Sequence, residues 1–183
     1  MPHTAVNLEV TRRMICNTGQ SLKDVSDQQP CLVVFLRHFG CVFCKEALSD
    51  LAQLRSFFDQ NGIKIVFVHM APVKTAENYF QRYGLGGTWH VSNPQKTFYA
   101  AFGLMKGSIS QLYGLRTWIR GYSARKEGHQ LELAEELGDS TQMPGIFLIQ
   151  QGEILNTYIH RHASDRPDYQ QIVSCCTPRQ ATG

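Results

Sequence analysis

Two of the six cysteines, Cys41 and Cys44, stand three residues apart within Phe35-Leu36-Arg37-His38-Phe39-Gly40-Cys41-Val42-Phe43-Cys44-Lys45. The apolar run before them and the amphipathic stretch after them place the pair where a strand ends and a helix begins. Residues three apart at a helix start lie on one face, so the two sulfurs can meet across the first turn. The unsatisfied N–H groups and positive dipole end of that turn stabilise a thiolate, drawing a cysteine from about 8.5 into the ~3.5–7.5 range. This pattern suits thiol redox chemistry, with Cys41 at the exposed end as nucleophile and Cys44 one turn in as resolving thiol. Arg37 and Lys45 add positive charge, His38 is close enough to give or take a proton, and Gly40 allows the tight turn. Against a peroxide, Cys41 would become a sulfenic acid that Cys44 condenses with. Against a disulfide, Cys41 would form a mixed disulfide that Cys44 resolves. Zinc is the competing chemistry, since Cys41 and Cys44 have ligand spacing and His160 and His162 would share one face of a strand.

The elements that must position this pair follow from periodicity. Leu32–Leu36 and Ile63–Val68 are apolar runs of strand length, suited to buried central strands. Between them, residues 43–60 place Ala47, Leu51, Leu54 and Phe58 on one helical face, and Asn61-Gly62 supplies the stop. Strand, helix and strand form a right-handed parallel crossover. Further on, 75–83 reads as a short helix and 89–92 as a strand. Asn93-Pro94 reads as a helix start with Asn as cap and Pro in the first turn, leading to Phe98 and Phe102. Ser108 is placed to cap a helix carrying Leu112, Leu115, Ile119 and Tyr122. Residues 145–149 and 153–159 flank Gln151-Gly152, a hairpin signal, and 168–175 suits a final helix. Pro144 cannot sit inside a central ladder and belongs to the loop or first strand position. The sum is an α/β chain with a mixed central sheet flanked by helices.

The chain has 183 residues with 43% hydrophobic, 10% aromatic and 18% charged residues, which describes one domain with a sizeable core. We divide it into an N-terminal extension at 1–21, a single domain at 22–176 and a tail at 177–183. A formal charge of +3 is too small and scattered for a nucleic-acid face. No apolar run reaches membrane-helix length and the first residues lack an apolar signal core, so the expectation is a cytoplasmic protein without membrane or nucleic-acid partners. A chain of this size needs no cystine framework. Cys31 reads as a core residue, Cys16 falls in an ill-defined segment, and a bond between adjacent Cys175 and Cys176 would be strained. A resolving role for that C-terminal pair, between subunits, stays open. Phe39, Phe43, Trp89, Trp118 and Tyr122 are candidates to line an apolar pocket.

Taken together, the strand, CxxC, long helix and late Pro before a hairpin resemble the thioredoxin fold. In that superfamily the residue before a cis-proline faces the active-site disulfide, and Met143-Pro144 matches that position. The segment from Phe35 to Ala47 resembles the peroxiredoxin-like branch of the alkyl hydroperoxide reductase/thiol-specific antioxidant (AhpC/TSA, redoxin) family. Asn93-Pro94 followed by Phe98-Tyr99-Ala100-Ala101-Phe102-Gly103-Leu104 is similar to the Asp-Pro, Tyr and Phe-Gly-Leu segment of that family. The likeness spans roughly Leu22 to Val173. It implies an antioxidant thiol peroxidase with a redox-active Cys41–Cys44 disulfide, Met143, Pro144 and Phe43 on the substrate side, and no cofactor beyond an external thioredoxin- or glutathione-type reductant. The substrate would be a peroxide or a disulfide, and a homodimer is left open. The sequence departs from the family in two places. Relative to Cys41, the family's Thr and Pro positions hold His38 and Val34, and its conserved arginine has no match at Thr141, Gln142 or Met143, where Arg37 is the substitute. The alternatives are a thioredoxin-like protein disulfide oxidoreductase and a metal-binding or non-catalytic interaction module on the same scaffold.

Overall fold

In a computed structural model the chain folds as β1 (Thr4–Ala5), α1 (Leu8–Arg13), α2 (Leu22–Gln28), β2 (Cys31–Phe35), α3 (Val42–Gln53), α4 (Arg55–Gln60), β3 (Lys64–His69), α5 (Val73–Arg82), β4 (Trp89–Ser92), α6 (Thr97–Ala101), β5 (Gly145–Gln150), β6 (Glu153–Ile159) and α7 (Tyr169–Ile172). The structure describes residues 4–5, 8–108, 112 and 138–177. The expected helix beyond Ser108 therefore lies mostly outside the described residues, with Leu115, Trp118, Ile119 and Tyr122. Its one described turn has the Leu112 N–H donating to the Ser108 carbonyl at 3.1 Å.

The six strands run in the order β1-β6-β5-β2-β3-β4. β2, β3 and β4 pair in parallel, whereas β5 and β6 join antiparallel. Because β2 is central, all five of its residues are buried, as its unbroken apolar run requires. Its side chains alternate between two cores. Leu32 and Val34 pack with Leu48, Leu51, Phe58, Phe67 and Phe80 on one face. Cys31, Val33 and Phe35 pack with Leu22, Val66, Tyr99 and Phe147 on the other. Helices thus cover both faces of a mixed sheet. The stretch ahead of Leu22 joins the second core through Met14 and Cys16, and β1 pairs with β6.

Two expected helices take a different form. The 43–60 helix is two helices, interrupted at Leu54, whose φ of −89° and ψ of 0° interrupt the ladder. The apolar face still carries through Leu51, Leu54 and Phe58, while Ala47 faces a cavity. Gly62, at φ +65°, follows the Asn61 C-cap in the left-handed position a β-carbon would strain. The Asn93-Pro94 start is displaced: α6 begins at Thr97 behind Lys96, which has φ 59°. Asn93 still caps it from a distance, its Oδ1 accepting from the Phe98 N–H at 2.9 Å and its Nδ2 donating to Thr97 Oγ1 at 3.0 Å. The final helix is one turn, capped by Asp168. The hairpin at Gln151-Gly152 forms with φ of 50° and 79°, the signs of a type I′ turn.

Candidate active site

β2 delivers the chain to the site, and hydrogen bonds to the carbonyls of Leu36, His38 and Cys41 turn it into α3. The Tyr99 hydroxyl donates to the Leu36 carbonyl at 2.5 Å and the Val68 carbonyl at 3.0 Å, tying the end of β2 to β3. The Cys41 N–H donates back to the His38 carbonyl at 3.1 Å, and the Lys45 N–H to the Cys41 carbonyl at 3.1 Å. Cys41 is therefore the N-cap of α3, with extended φ and ψ. Its sulfur sits over the unsatisfied amides of the first turn.

Cys41 and Cys44 are both free thiols, each 5% exposed. Their environments push them apart. Cys41 is lowered to about 6, first by the hydrogen bond that the Cys44 thiol offers its sulfur, then by the Arg37 charge and the first-turn N–H groups of Cys44 and Phe43, which together outweigh burial. Cys44 is raised well above its ordinary value by giving that hydrogen bond, by burial and by the neighbouring Cys41 charge. A pair split in this way has one member ready as thiolate and one held as thiol.

Arg37 is buried and reaches across the site. Its Nη1 donates to the Cys41 sulfur at 3.5 Å, and its Nη2 donates to the Ser140 carbonyl. The loop that supplies Ser140 is itself tied down. His38 and Gly138 form an isolated antiparallel bridge. Asp139 accepts from Lys96 Nζ at 2.6 Å and from the Thr141 N–H at 2.8 Å. Those partners hold its carboxyl well below the usual carboxylate range. His38 is buried and lowered to about 4, by desolvation first and the Arg37 charge second, so it is neutral at pH 7. Lys45 is buried rather than at the surface, its ammonium 5.9 Å from the Tyr79 ring centre.

A cavity of about 30 Å³ opens beside Cys44, lined by Arg37, Phe43, Pro144 and His160 among others. At its rim Arg166 pairs with Glu46 at 3.2 Å and with Asp50 at 2.6 Å. Phe43, Met143, Leu112 and Ala163 form a small apolar cluster adjoining it. The structure thus places Phe43 and Pro144 around the cavity beside Cys44, and packs Met143 in the cluster with Phe43. The Met143–Pro144 peptide, matched to a cis-proline position, is trans. Phe39 is a core residue, stacked on Tyr79 at 4.9 Å, and Trp89 packs against the opposite core. Neither lines the pocket. Trp118 and Tyr122 lie outside the described residues.

His160 is the residue that sequence reasoning missed. The zinc alternative puts it with His162 on one face of a strand, but β6 stops at Ile159. The His160 ring instead meets the Pro144 backbone and the Arg37 charge, and burial lowers it to about 4. Among the described residues no group of three or more His, Cys, Asp or Glu gathers that could hold a metal. Cys16 and Cys31 are buried and pushed up to about 11 and about 12, as inert core thiols are. Cys175 and Cys176 hold their sulfurs 3.8 Å apart without a bond.

The chain is similar to several known proteins. The chain is 23% identical over 168 residues to the prostamide/prostaglandin F synthase of Sus scrofa, covering 90% of this chain and 82% of that one. It is 22% identical over 163 residues to the chloroplastic thioredoxin-like protein AAED1 of Arabidopsis thaliana, covering 85% of this chain and spanning 65% of that protein's length. A solved structure of a Xanthomonas campestris peroxiredoxin Q variant superposes with a TM-score of 0.60 at 17% identity, over 94% of this chain and 96% of that one. That likeness shows the thioredoxin-like fold. The model of the AhpC/TSA antioxidant enzyme family matches residues 50–164, beginning six residues after Cys44. With more than half its length matched, the chain belongs to the AhpC/TSA antioxidant enzyme family.

Proposed function

We propose that this chain is a thiol peroxidase in which Cys41 attacks and Cys44 resolves. The observation that carries the reading is the divergence of the two thiols, Cys41 drawn down to about 6 beside Arg37 and Cys44 pushed up. The Cys41 thiolate attacks the nearer peroxide oxygen, the O–O bond breaks, and the alkoxide leaves as an alcohol with a proton from solvent. Cys41 is now a sulfenic acid. Cys44 condenses with it, releasing water and closing the disulfide. Two external thiols of the thioredoxin or glutathione type then return the pair to dithiol.

A small substrate is favoured because Cys41 and Cys44 are both buried, which admits a peroxide more readily than a folded protein's disulfide. The apolar cluster of Phe43, Leu112, Met143 and Ala163 suits the organic group of an alkyl or lipid hydroperoxide. Protein disulfide exchange is the second reading, supported by the CxxC spacing itself. A reducing compartment such as the cytoplasm fits six free thiols. The test is a panel of hydrogen peroxide, alkyl hydroperoxides and a protein disulfide on wild type, Cys41→Ser and Cys44→Ser. The reading expects peroxide turnover abolished by Cys41→Ser. Turnover with the protein disulfide alone would refute it in favour of the exchange reading.

A further inference from the structure

Two buried nitrogens at the cavity beside Cys44 find no hydrogen-bond partner among the described residues: Arg37 Nε and His160 Nδ1. Such groups are uncommon in folded proteins and call for a ligand, a water or a catalytic role. They are chemically complementary. Arg37 uses Nη1 on the Cys41 sulfur and Nη2 on the Ser140 carbonyl, which leaves Nε as the guanidinium nitrogen with no partner among the described residues. Burial keeps the His160 imidazole neutral at pH 7, so one ring nitrogen carries a proton and the other a lone pair. Beside an unpartnered N–H donor, the tautomer with the lone pair at Nδ1 is the complementary one. The ring packs T-shaped against Tyr158, with centroids 5.1 Å apart at 89°.

We propose that Arg37 Nε–H, His160 Nδ1 and the Cys44 thiol form a slot for one water, through which the Cys44 proton passes to His160 as Cys44 closes the disulfide. The cavity of about 30 Å³ has room for a water, and three polar partners are what a buried water needs. Each hydrogen bond has a direction. Once Cys41 is oxidised and no longer a thiolate accepting the Cys44 proton, Cys44 S–H turns to the water, which also accepts from Arg37 Nε–H and donates to Nδ1. Other acceptors at the cavity are engaged, because Glu46 and Asp50 are paired with Arg166. The Tyr169 phenol is pushed up by burial and keeps its proton. Asp165 faces His160 with a charge that opposes that of Arg37, and the balance of burial keeps the imidazole neutral down to about 4. It is therefore able to accept a proton throughout the range in which Cys41 is a thiolate.

This step rests on the cysteine cycle above and adds no reagent to it. The Cys44 S–H and Cys41 S–O bonds break and the S–S bond forms. The thiol sulfur is oxidised and the sulfenic sulfur reduced. The proton moves from Cys44 through the water to Nδ1, then to the departing hydroxide, which leaves as water.

The test isolates the second step without peroxide. Reduced protein carrying Cys175→Ser and Cys176→Ser, which removes the thiols that are not buried, is mixed with dithiobis(nitrobenzoate). Cys41 releases one thionitrobenzoate, and Cys44, attacking the mixed disulfide, releases the second. For wild type the second release is expected to be nearly independent of pH between about 5.5 and 8, because His160 is the acceptor. His160→Gln keeps a hydrogen-bond acceptor but is no base, and His160→Phe keeps neither. In both, the ratio of second to first release is expected to fall at least about tenfold at pH 7, within the usual range for losing a general base. Their second release should also rise by about tenfold per pH unit, as Cys44 ionises unaided. A merely structural role would change folding or both releases without introducing that slope. His160→Gln alone decides if His160→Phe does not fold. A flat profile with a wild-type ratio in His160→Gln would overturn the slot. With hydrogen peroxide in place of the aromatic disulfide, failure of wild type to form a sulfenic acid would remove the peroxidase reading, while the thionitrobenzoate ratio still judges the slot.

Discussion

Replacing Arg37 by Met keeps the length of the side chain and removes its charge 3.5 Å from the Cys41 sulfur. Two unit charges at that distance interact by at most about 5 kcal/mol at an effective dielectric near 20, or about 3.5 pKa units. The guanidinium charge is spread over three nitrogens, and water entering the space would recover part of the loss. Cys44 and the first-turn amides remain, and the Cys44 hydrogen bond is the larger influence. The expected shift is therefore about one to two units upward from the wild-type value, and Arg37→Lys should fall between. The assay is the pH dependence of iodoacetamide alkylation of Cys41, followed by mass spectrometry. The midpoint is the quantity to read, because a more basic thiolate is also a stronger nucleophile and the rate at one pH mixes both effects. An Arg37→Met midpoint within about 0.3 unit of wild type would refute Arg37 as a determinant of the thiolate.

Other consequences follow from neighbouring groups. A β-carbon on Gly138, at φ +120°, would lie 2.7 Å from the Arg37 carbonyl oxygen and 2.9 Å from His38 Cβ. Gly138→Ala is expected to cost about 1–3 kcal/mol in urea denaturation and to raise the Cys41 midpoint; an unchanged urea midpoint would contradict the close approach. Lys96 pays for a left-handed backbone at φ 59° and gains a part-exposed ion pair with Asp139. Lys96→Gly should therefore be more stable than Lys96→Ala by about 1 kcal/mol, and equal stabilities would deny the strain. His38, His69 and His160 are lowered to about 4, about 3 and about 4, chiefly by burial. They stay neutral in the fold while the unfolded chain protonates them below pH 6.5, so stability should fall as pH drops from 6.5 toward 4. A urea midpoint constant from pH 7 to 4.5 would contradict this.

Much of this site was legible because its signals are local. The CxxC at a strand-to-helix junction, the apolar β2 run and the I′ hairpin each depend on residues adjacent in sequence. The unread parts depend on long-range geometry. Arg37 finds its anchor at Ser140, 103 residues away, through a carbonyl that any residue type would supply. His160 was misplaced by a single-residue effect. The hairpin turn alone would pair Gly145 with Tyr158, but a register shift between Leu148 and Ile149 pairs it with Ile159. That bulge moves the next opposed position from Ile159 to His160, bringing the imidazole rather than an aliphatic chain to Pro144. The α3–α4 interruption carries no Gly or Pro to announce it. The Asn93 cap was read correctly in chemistry but three residues early, because its side chain reaches over a turn to Phe98.

The most direct measurement is a single-turnover reaction of reduced Cys44→Ser and Cys41→Ser proteins with a stoichiometric alkyl hydroperoxide, quenched into dimedone and mapped by mass spectrometry. Cys44→Ser is expected to carry one sulfenic acid adduct, on Cys41, with no intramolecular disulfide, whereas Cys41→Ser should carry none at Cys44. An adduct on Cys44 in Cys41→Ser, or none on Cys41 in Cys44→Ser, would contradict the assignment of Cys41 as the attacking thiolate.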